Sequence, residues 1–425
     1  MLYWNGLQHL RLYFKDSKLN SNSLSMFKFS LAKIQRVTLY IYFFSLNFGV
    51  FNLYGLGSTA RLTGILYLVS ILPTLPLFFK TSFIKPYLKA IFLFWITLTL
   101  ISFIYSNQYS RVFFDTTILL NIILFWVLVN HERKDTLVLL KGMLSFSIGS
   151  VVLTLLYNAG IGIEYQGGRV SIFGDNSNGI AVRLSIAIIT LIYLTIHDIF
   201  NLKLWRLFFL LPLPVMLLFM IETGSRKAFI GFIAAFIIGT ILFRSRKHWY
   251  KSILLIASGA ISLYIYQLVL QSQTLYRRFL MTLEEGSLGG REDIWSTIIP
   301  LIQDNLLFGV GKTGYHEFSV AKFGSLMSPH NVLIEVLVYT GLIGFCMYFY
   351  LLLKTMWQAW LAYYKNDFLL PFLLLIPSWG LILGGQALGG KMIWAILAIA
   401  VGTVFFKNEA SKKSIQHLIK TNHKK

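Results

Sequence analysis

The segment PHNVLIEVLVYTGLIGFCMYFYLLL, residues 329–353, decides the fold class of this chain. It begins with a proline-containing loop and continues as apolar sequence in which Glu335 is the only charged residue. A helix needs about 20 apolar residues to cross a bilayer, and residues 332–353 meet that length. The segment is therefore predicted to be a membrane-spanning helix whose entrance carries two polar residues, His330 and Asn331.

The rest of the chain has the same character. Its 425 residues are 56% hydrophobic and 13% charged, whereas soluble domains carry about 25% charged residues. The predicted fold is an all-α integral membrane protein, a bundle of about 12 transmembrane helices. The apolar runs lie near 37–56, 62–79, 90–105, 112–130, 137–157, 179–196, 205–221, 228–243, 252–270, 332–353, 368–384 and 391–406.

The basic residues indicate how these spans are oriented. A net charge of +21 first suggests a nucleic-acid partner, but six lysines and arginines precede residue 37 and six follow residue 406. Cytoplasmic loops of membrane proteins carry such an excess, so both termini are predicted to be cytoplasmic, with membrane lipids and not nucleic acid as the partner of the basic tails. The predicted parts are the tail 1–36, spans 1–9 in 37–270, a large outer loop 271–330, spans 10–12 in 331–406 and the tail 407–425.

Two outer connections are long enough to carry function, residues 158–179 and the loop 271–330. Within the larger one, EDIWSTIIPLIQ is predicted to be a short amphipathic helix. FGVGKTG, residues 308–314, looks like a phosphate-binding loop, but Leu306 stands where that motif needs a glycine. It is instead predicted to be a turn whose glycines bring the backbone close to another part of the protein.

Three arginines lie at or near the outer membrane surface: Arg169 in GGRVSIFGDN, Arg226 in ETGSRKAF and Arg291 in LGGREDIW. A guanidinium group stays charged and grips phosphate oxygens with two parallel hydrogen bonds, so three converging arginines would suit a diphosphate. The alternative is that each arginine reaches lipid phosphates or pairs with an acid such as Glu222 or Glu292.

The entrance of the tenth span offers a candidate base. The ordinary pKa of histidine, near 6.5, suits His330 to proton transfer near neutrality, although a lone histidine there also fits a capping or interfacial role. Asn331 is predicted to cap the helix. Glu335 should face the bundle interior, where it either orients His330 or an arginine or is a structural acid. Gly341 and Gly344 are predicted to let neighbouring helices approach closely.

The outer acidic residues are scattered, so neither a metal site nor a cofactor is predicted. Asp175 and the pair Glu292–Asp293 leave a loosely held cation as an alternative.

His330–Asn331, then nine residues, Gly341, two residues and Gly344 resembles the H-N-x9-G-x-x-G signature of the bacterial O-antigen ligase family. That family is similar in its number of spans and in its large periplasmic loop between spans 9 and 10, and its important arginines match Arg226, Arg291 and Arg169. The resemblance covers roughly residues 160–350. The wider superfamily includes Wzy-type O-antigen polymerases, and REDIWSTIIPLIQDNLLFGVGKTGYHEF looks as much like those members.

The resemblance implies a metal-independent, inverting glycosyltransferase of the bacterial inner membrane with its active site on the periplasmic side. The donor would be a glycan on undecaprenyl diphosphate. The acceptor would be a sugar of the lipid A core in a ligase, as in lipopolysaccharide biosynthesis, or a second lipid-linked glycan in a polymerase. Arg226, Arg291 and Arg169 would hold the diphosphate and His330 would act as the base.

A transporter of the same lipid-linked glycan is a further alternative. It would favour charged groups buried through the membrane, for which the sequence offers Asp115, Lys141, Arg183 and Glu335.

Overall fold

The protein is described by a computed structural model. It covers residues 21–405 apart from 53–56, 79–82, 106–114, 167, 244–251, 253–258, 260–262, 265, 285–290 and 386–387. The C-terminal tail 407–425 lies outside these residues, as do much of the N-terminal tail 1–36 and most of the ninth span predicted near 252–270.

Helices dominate the described chain. They are α1 Ser21–Ser45, α2 Thr59–Ile71, α3 Lys85–Ile104, α4 Thr116–Lys134, α5 Val138–Asn158, α6 Ser177–His197, α7 Leu213–Glu222, α8 Arg226–Leu242, α9 Gln273–Glu284, α10 Arg291–Asp304, α11 Gly311–Phe323, α12 Val332–Asn366, α13 Leu370–Ile382 and α14 Lys391–Gly402. An apolar 3₁₀ segment, Lys203–Leu210, precedes α7.

Six stretches of the described chain are long and apolar enough to cross a membrane: Thr59–Pro76, Lys85–Ile104, Val138–Asn158, Ser177–His197, Lys203–Glu222 and Val332–Asn366. The apolar helices α13 and α14 are shorter. The fold class of a helical membrane protein is thus supported, while the count of about 12 spans stays a prediction.

Helix α6 lies at the centre of the bundle. It packs against α5, α7, α8 and α13, and most of its side chains are buried. Its amino-terminal end follows a small hairpin in which β1, Ile163–Gln166, pairs antiparallel with β2, Arg169–Ile172. These strands were not predicted, although the sequence carries their signal. Apolar and polar residues alternate in IEYQ and in RVSI, and the Gly-Gly pair between them is typical of a hairpin turn.

Helix α12 is broken at Gly341, where φ is 58° and ψ is −161°, a combination open essentially to glycine alone. The break exposes backbone groups that the apolar surroundings cannot satisfy. The segment just after α10 supplies the missing partners: the Val310 amide donates to the Val338 carbonyl at 2.9 Å, and the Leu342 amide donates to the Leu306 carbonyl at 2.9 Å. The predicted close approach at Gly341 is therefore real, but its partner is a loop backbone and not a neighbouring helix.

The glycines of the FGVGKTG segment serve the same contact. Gly309 and Gly311 have φ of 68° and 69°. A Cβ on Gly309 would collide with the Val338 carbonyl oxygen, and one on Gly311 would lie 2.6 Å from Ser102 Cα of α3. The predicted turn is therefore confirmed for residues 308–310, which bring backbone close to α12, whereas the residues from Gly311 onward form the first turn of α11.

Replacing Gly341 with alanine is expected to lower the melting temperature sharply or prevent folding. The new Cβ would adopt a strained backbone conformation and would collide with the Leu307 carbonyl, a combined cost of about 3 kcal/mol or more. Gly324→Ala is the matched control, because Gly324 has φ of 70° but open space around its Cβ position. Thermal unfolding in detergent, followed by size-exclusion chromatography, measures both variants, and equal losses would show that the packing at Gly341 is unimportant.

The predicted outer loop 271–330 is largely helical where the structure describes it. Helices α9, α10 and α11 occupy it, and α10 includes the amphipathic helix expected from EDIWSTIIPLIQ. These helices hold the functional candidates against the ends of the apolar helices.

Candidate functional site

His330 lies in a tightly held loop at the entrance of α12. Its backbone has φ of 52°, in the left-handed region that non-glycine residues seldom adopt. Trp295 of α10 donates from its indole nitrogen to the Pro329 carbonyl at 2.8 Å, and Tyr315 of α11 donates to the Met327 carbonyl at 2.7 Å. Asn331 caps α12 as predicted, accepting from the Leu333 amide at 2.9 Å. The elements around His330 thus fix the strained backbone that presents it.

Four arginines surround one place beside this loop. We call Arg169, Arg226, Arg278 and Arg291 the arginine cluster. Arg169 begins β2, while Arg226 and Arg291 begin α8 and α10. The four arginines come from separate parts of the sequence. Arg169 nevertheless interacts electrostatically with the other three. The amino-terminal ends of two helices add further positive potential, because the helix dipole points its positive end outward there.

Hydrogen bonds to backbone carbonyls fix these side chains. Arg169 donates through Nε to the Thr223 carbonyl at 3.0 Å and through Nη2 to Asn178 Oδ1 at 2.8 Å. Arg226 donates to the Arg278 carbonyl at 2.6 Å, and Arg278 donates to the Gly224 carbonyl at 2.8 Å. Arg291 reaches across to the Gly384 carbonyl after α13, at 3.2 Å. Because these partners are neutral, the bonds orient the guanidinium groups without cancelling their charge.

The arginine cluster concentrates positive charge in a partly buried place. Burial lowers the pKa of Arg169 to about 10, with further lowering by Arg278, Arg291 and Arg226. Burial followed by the neighbouring arginines also lowers the pKa of Arg278. All of these groups stay protonated near neutrality, so they repel one another. Glu292, which lies near Arg226 and Arg291, is an acidic neighbour of the kind expected from sequence, but four cations retain a strong preference for a multiply charged anion.

His330 belongs to the same site. Burial lowers its pKa, and the nearby cations Arg291 and Lys227 lower it further. The imidazole is therefore neutral at pH 7 and able to accept a proton. Lys227 follows Arg226 directly and donates to the Leu383 carbonyl at 3.3 Å.

Glu335 faces a different set of groups. It is buried and hydrogen-bonded to Tyr339, with Lys312 and Asp115 as its charged neighbours. Lys312 forms an ion pair with Asp115 at 2.7 Å. This environment favours the structural alternative for Glu335 over a role in orienting His330 or an arginine.

The described residues include no group of three or more His, Cys, Asp or Glu side chains placed to hold a metal ion. Asp175, one of the two places considered for a loose cation, is occupied instead by an ion pair with Arg183 of α6.

The sequence analysis missed Arg278 and Lys227. Arg278 lies in TLYRRFL, at the start of the outer loop, and its neighbour Arg277 is exposed. Adjacent residues of a helix point in different directions, so Arg277 and Arg278 lie on different faces of α9. The sequence alone does not tell which of these faces packs against the protein. Lys227 was counted only as an outer charge.

The comparison with known families bears on these same residues. Residues 211–349 match the family model described as O-antigen ligase. This match confirms the resemblance to that family and includes Arg226, Arg278, Arg291 and His330. Arg169 belongs to the arginine cluster but lies outside the matched residues. No curated protein matches the chain.

The O-antigen ligase domain and the apolar helices together indicate a bacterial inner-membrane enzyme of the ligase and polymerase kind. For the family described by that model, the substrates are in general terms lipid-linked glycans and lipid A core.

Proposed function

We propose that the protein transfers a glycan from undecaprenyl diphosphate to a sugar hydroxyl at the periplasmic face, most simply as an O-antigen ligase acting on the lipid A core. The observation that supports this most strongly is that three arginines of the matched region 211–349, joined by Arg169 from outside it, lie beside a neutral histidine of the same region. Cations alone would suit any anion, and a histidine alone would suit many reactions. Their combination suits the departure of a diphosphate coupled to deprotonation of a hydroxyl.

The arginines would act on the leaving group. Negative charge grows on the diphosphate oxygen as its bond to the anomeric carbon breaks, and fixed cations stabilise that charge without having to reorient. Arg226 and Arg291 are proposed to grip the diphosphate in the bidentate manner of guanidinium groups. Arg169 and Arg278 would complete the pocket from the hairpin and α9. No metal ion is needed in this scheme, because the protein supplies the positive charge.

His330 would act on the acceptor. The acceptor oxygen attacks the anomeric carbon while the carbon–diphosphate bond breaks, and the hydroxyl proton moves to the imidazole. Undecaprenyl diphosphate leaves with the electron pair of the broken bond. A single displacement of this kind inverts the anomeric centre. Asn331 supports the base indirectly by ending the strained loop and starting α12.

A polymerase that joins lipid-linked repeat units remains the second candidate, since the sequence of α10 and the following loop resembles both groups. Deletion of the gene distinguishes the two. Loss of a ligase leaves bare lipid A core and strands finished polymer on its carrier lipid. Loss of a polymerase leaves core that carries a single repeat unit. A normal ladder of polymer lengths in a strain without a second copy contradicts both.

A transporter is disfavoured by how the buried charges are used. Asp115 accepts from the amides of Thr117 and Ile118 at the start of α4 and pairs with Lys312. Arg183 pairs with Asp175. These charges are engaged in local contacts and do not form a path across the bundle. Transfer by purified protein in liposomes without any ion gradient would argue decisively for the enzyme.

Arg278→Gln is expected to reduce transfer at least tenfold, because one cation and its bond to Gly224 are lost from the diphosphate pocket. Arg277→Gln is the matched control: it removes the same charge from the adjacent, exposed position and should transfer normally. Initial rates in liposomes with lipid-linked donor measure both. Equal rates for the two variants would remove Arg278 from the site.

A further inference from the structure

A cavity of about 280 Å³, lined by both polar and apolar residues, lies beside the arginine cluster. Its lining comes from three places: residues near the end of α1 and the start of α2, including Ser58; the start of α6 with Asn178 and Arg183; and Leu381 and Gly385 together with residues 389–393. The volume is near the lower end of small-molecule sites and suits a single sugar ring better than a lipid chain. The proposed diphosphate grip does not use this cavity.

The cavity shares two walls with the arginine cluster. Asn178 lines it and also accepts, through Oδ1, hydrogen bonds from Arg169 at 2.8 Å and Ser225 at 2.9 Å. The turn 381–385 lines it through Leu381 and Gly385. The same turn contacts the cluster through its carbonyls, which accept from Lys227 and Arg291. A molecule in the cavity would therefore lie next to the diphosphate position.

The lining is positively charged and provides donors. Lys391 reaches only a weak partner, Ser58 Oγ at 3.4 Å, and its electrostatic neighbour Arg61 is also a cation. Arg183 is paired with Asp175, but its side chain is only 11% exposed and its Nε atom is buried without a hydrogen-bond partner among the described residues. Among the described lining residues there is no carboxylate. A buried donor and a weakly engaged ammonium group both favour an anionic, oxygen-rich ligand.

We propose that this cavity binds a sugar that carries a negative substituent, a phosphate or a carboxylate, and holds it for reaction at the arginine cluster. The inference rests on the proposed function for the origin of that sugar, which is either the acceptor or the donor glycan. Lys391 provides the charge that selects an acidic sugar over a neutral one. Arg183 and Asn178 provide donors for its oxygens, and the glycines of the lining leave room for the ring.

The test measures binding apart from transfer. Full-length protein in nanodiscs is titrated with a phosphorylated, delipidated core oligosaccharide and with the same oligosaccharide after removal of phosphate. The wild-type protein is expected to prefer the phosphorylated form about tenfold, as for a hydrogen bond to a charged group. Lys391→Met should abolish the preference and Lys391→Arg should keep it. Lys322→Met, at an exposed position near the end of α11, is the matched control and should behave as wild type.

Equal binding of the two oligosaccharides by the wild-type protein would overturn the proposal, as would an unchanged preference in Lys391→Met. A Lys391→Met variant that, in neutral detergent, loses binding of an added anionic lipid while oligosaccharide binding stays intact would assign the cavity to a lipid headgroup and also overturn it. Transfer kinetics then identify the source of the sugar, because only the KM of the substrate held in the cavity should rise in Lys391→Met. A wild-type protein that shows the preference but transfers nothing would contradict the proposed function alone.

Discussion

His330→Ala is expected to insert into the membrane and fold normally while losing transfer by about 10²- to 10⁴-fold, the usual contribution of a positioned acid or base. The loop around His330 is held by Trp295 and Tyr315 through backbone carbonyls, so the imidazole itself is not needed to maintain it. Alanine has the same Cβ as histidine, so the left-handed backbone at this position is about as strained in the variant as in the wild-type protein. Initial rates at saturating donor and acceptor, with thermal stability measured in parallel, separate the two effects. Rates near wild type would exclude His330 as the base.

The pH dependence gives a second, independent test of His330. Burial and the cations Arg291 and Lys227 lower its pKa below the ordinary 6.5. A base works in its neutral form, so transfer should be fully active above this lowered pKa and should fall as the pH drops through it. Lys227→Met removes one of the cations and should move the acid limb of the pH profile to higher pH. A limb that stays in place would show that another group titrates.

Arg291→Ala is expected to lower transfer by about 10²- to 10³-fold, the effect of removing one fixed donor from a developing anion. Arg291 is the arginine that interacts with each of the others and with His330, so its loss affects both the leaving group and the base. Residue 291 is the first residue of α10, and alanine at this position should leave the helix intact. Measured kcat should therefore fall with little change in the amount of folded protein.

Arg291→Lys separates charge from geometry. The ammonium group keeps the positive charge but cannot reproduce the two parallel hydrogen bonds of a guanidinium, so most of the activity should still be lost. Arg226→Lys should be poor for the same reason. Arg277→Ala, at an exposed position on α9, is the control and should transfer normally. Full activity in Arg291→Lys would mean that the site requires only charge, and the bidentate grip would be wrong.

Much of the site could be predicted from sequence because its residues stand out from the apolar sequence around them. The sequence shows an arginine beside an apolar run, a histidine at the entrance of a span and a glycine within one, and each differs from the residues around it. Arg169, Arg226, Arg291 and His330 were therefore identified individually, and the structure brings them together. Arg278 carries no such signal, because one of two adjacent arginines in a polar loop resembles the other until α9 is packed.

The cavity and the break in α12 could not be predicted for a related reason. Lys391, Ser58 and Arg183 lie on three separate segments, and no local pattern links them. Gly341 and the segment 308–314 were each predicted to approach another part of the protein closely, but no local pattern shows that they approach each other.

The sequence by itself determined that this chain is a helical membrane protein and which residues are too polar for their positions. Each membrane span must be long and apolar enough to cross the bilayer, and both properties can be read from a local stretch of sequence. Only the tertiary structure decided which polar residues meet. That meeting depends on how α6, α8, α10 and the turn after α13 pack, and packing is set by contacts between segments that are distant in the chain.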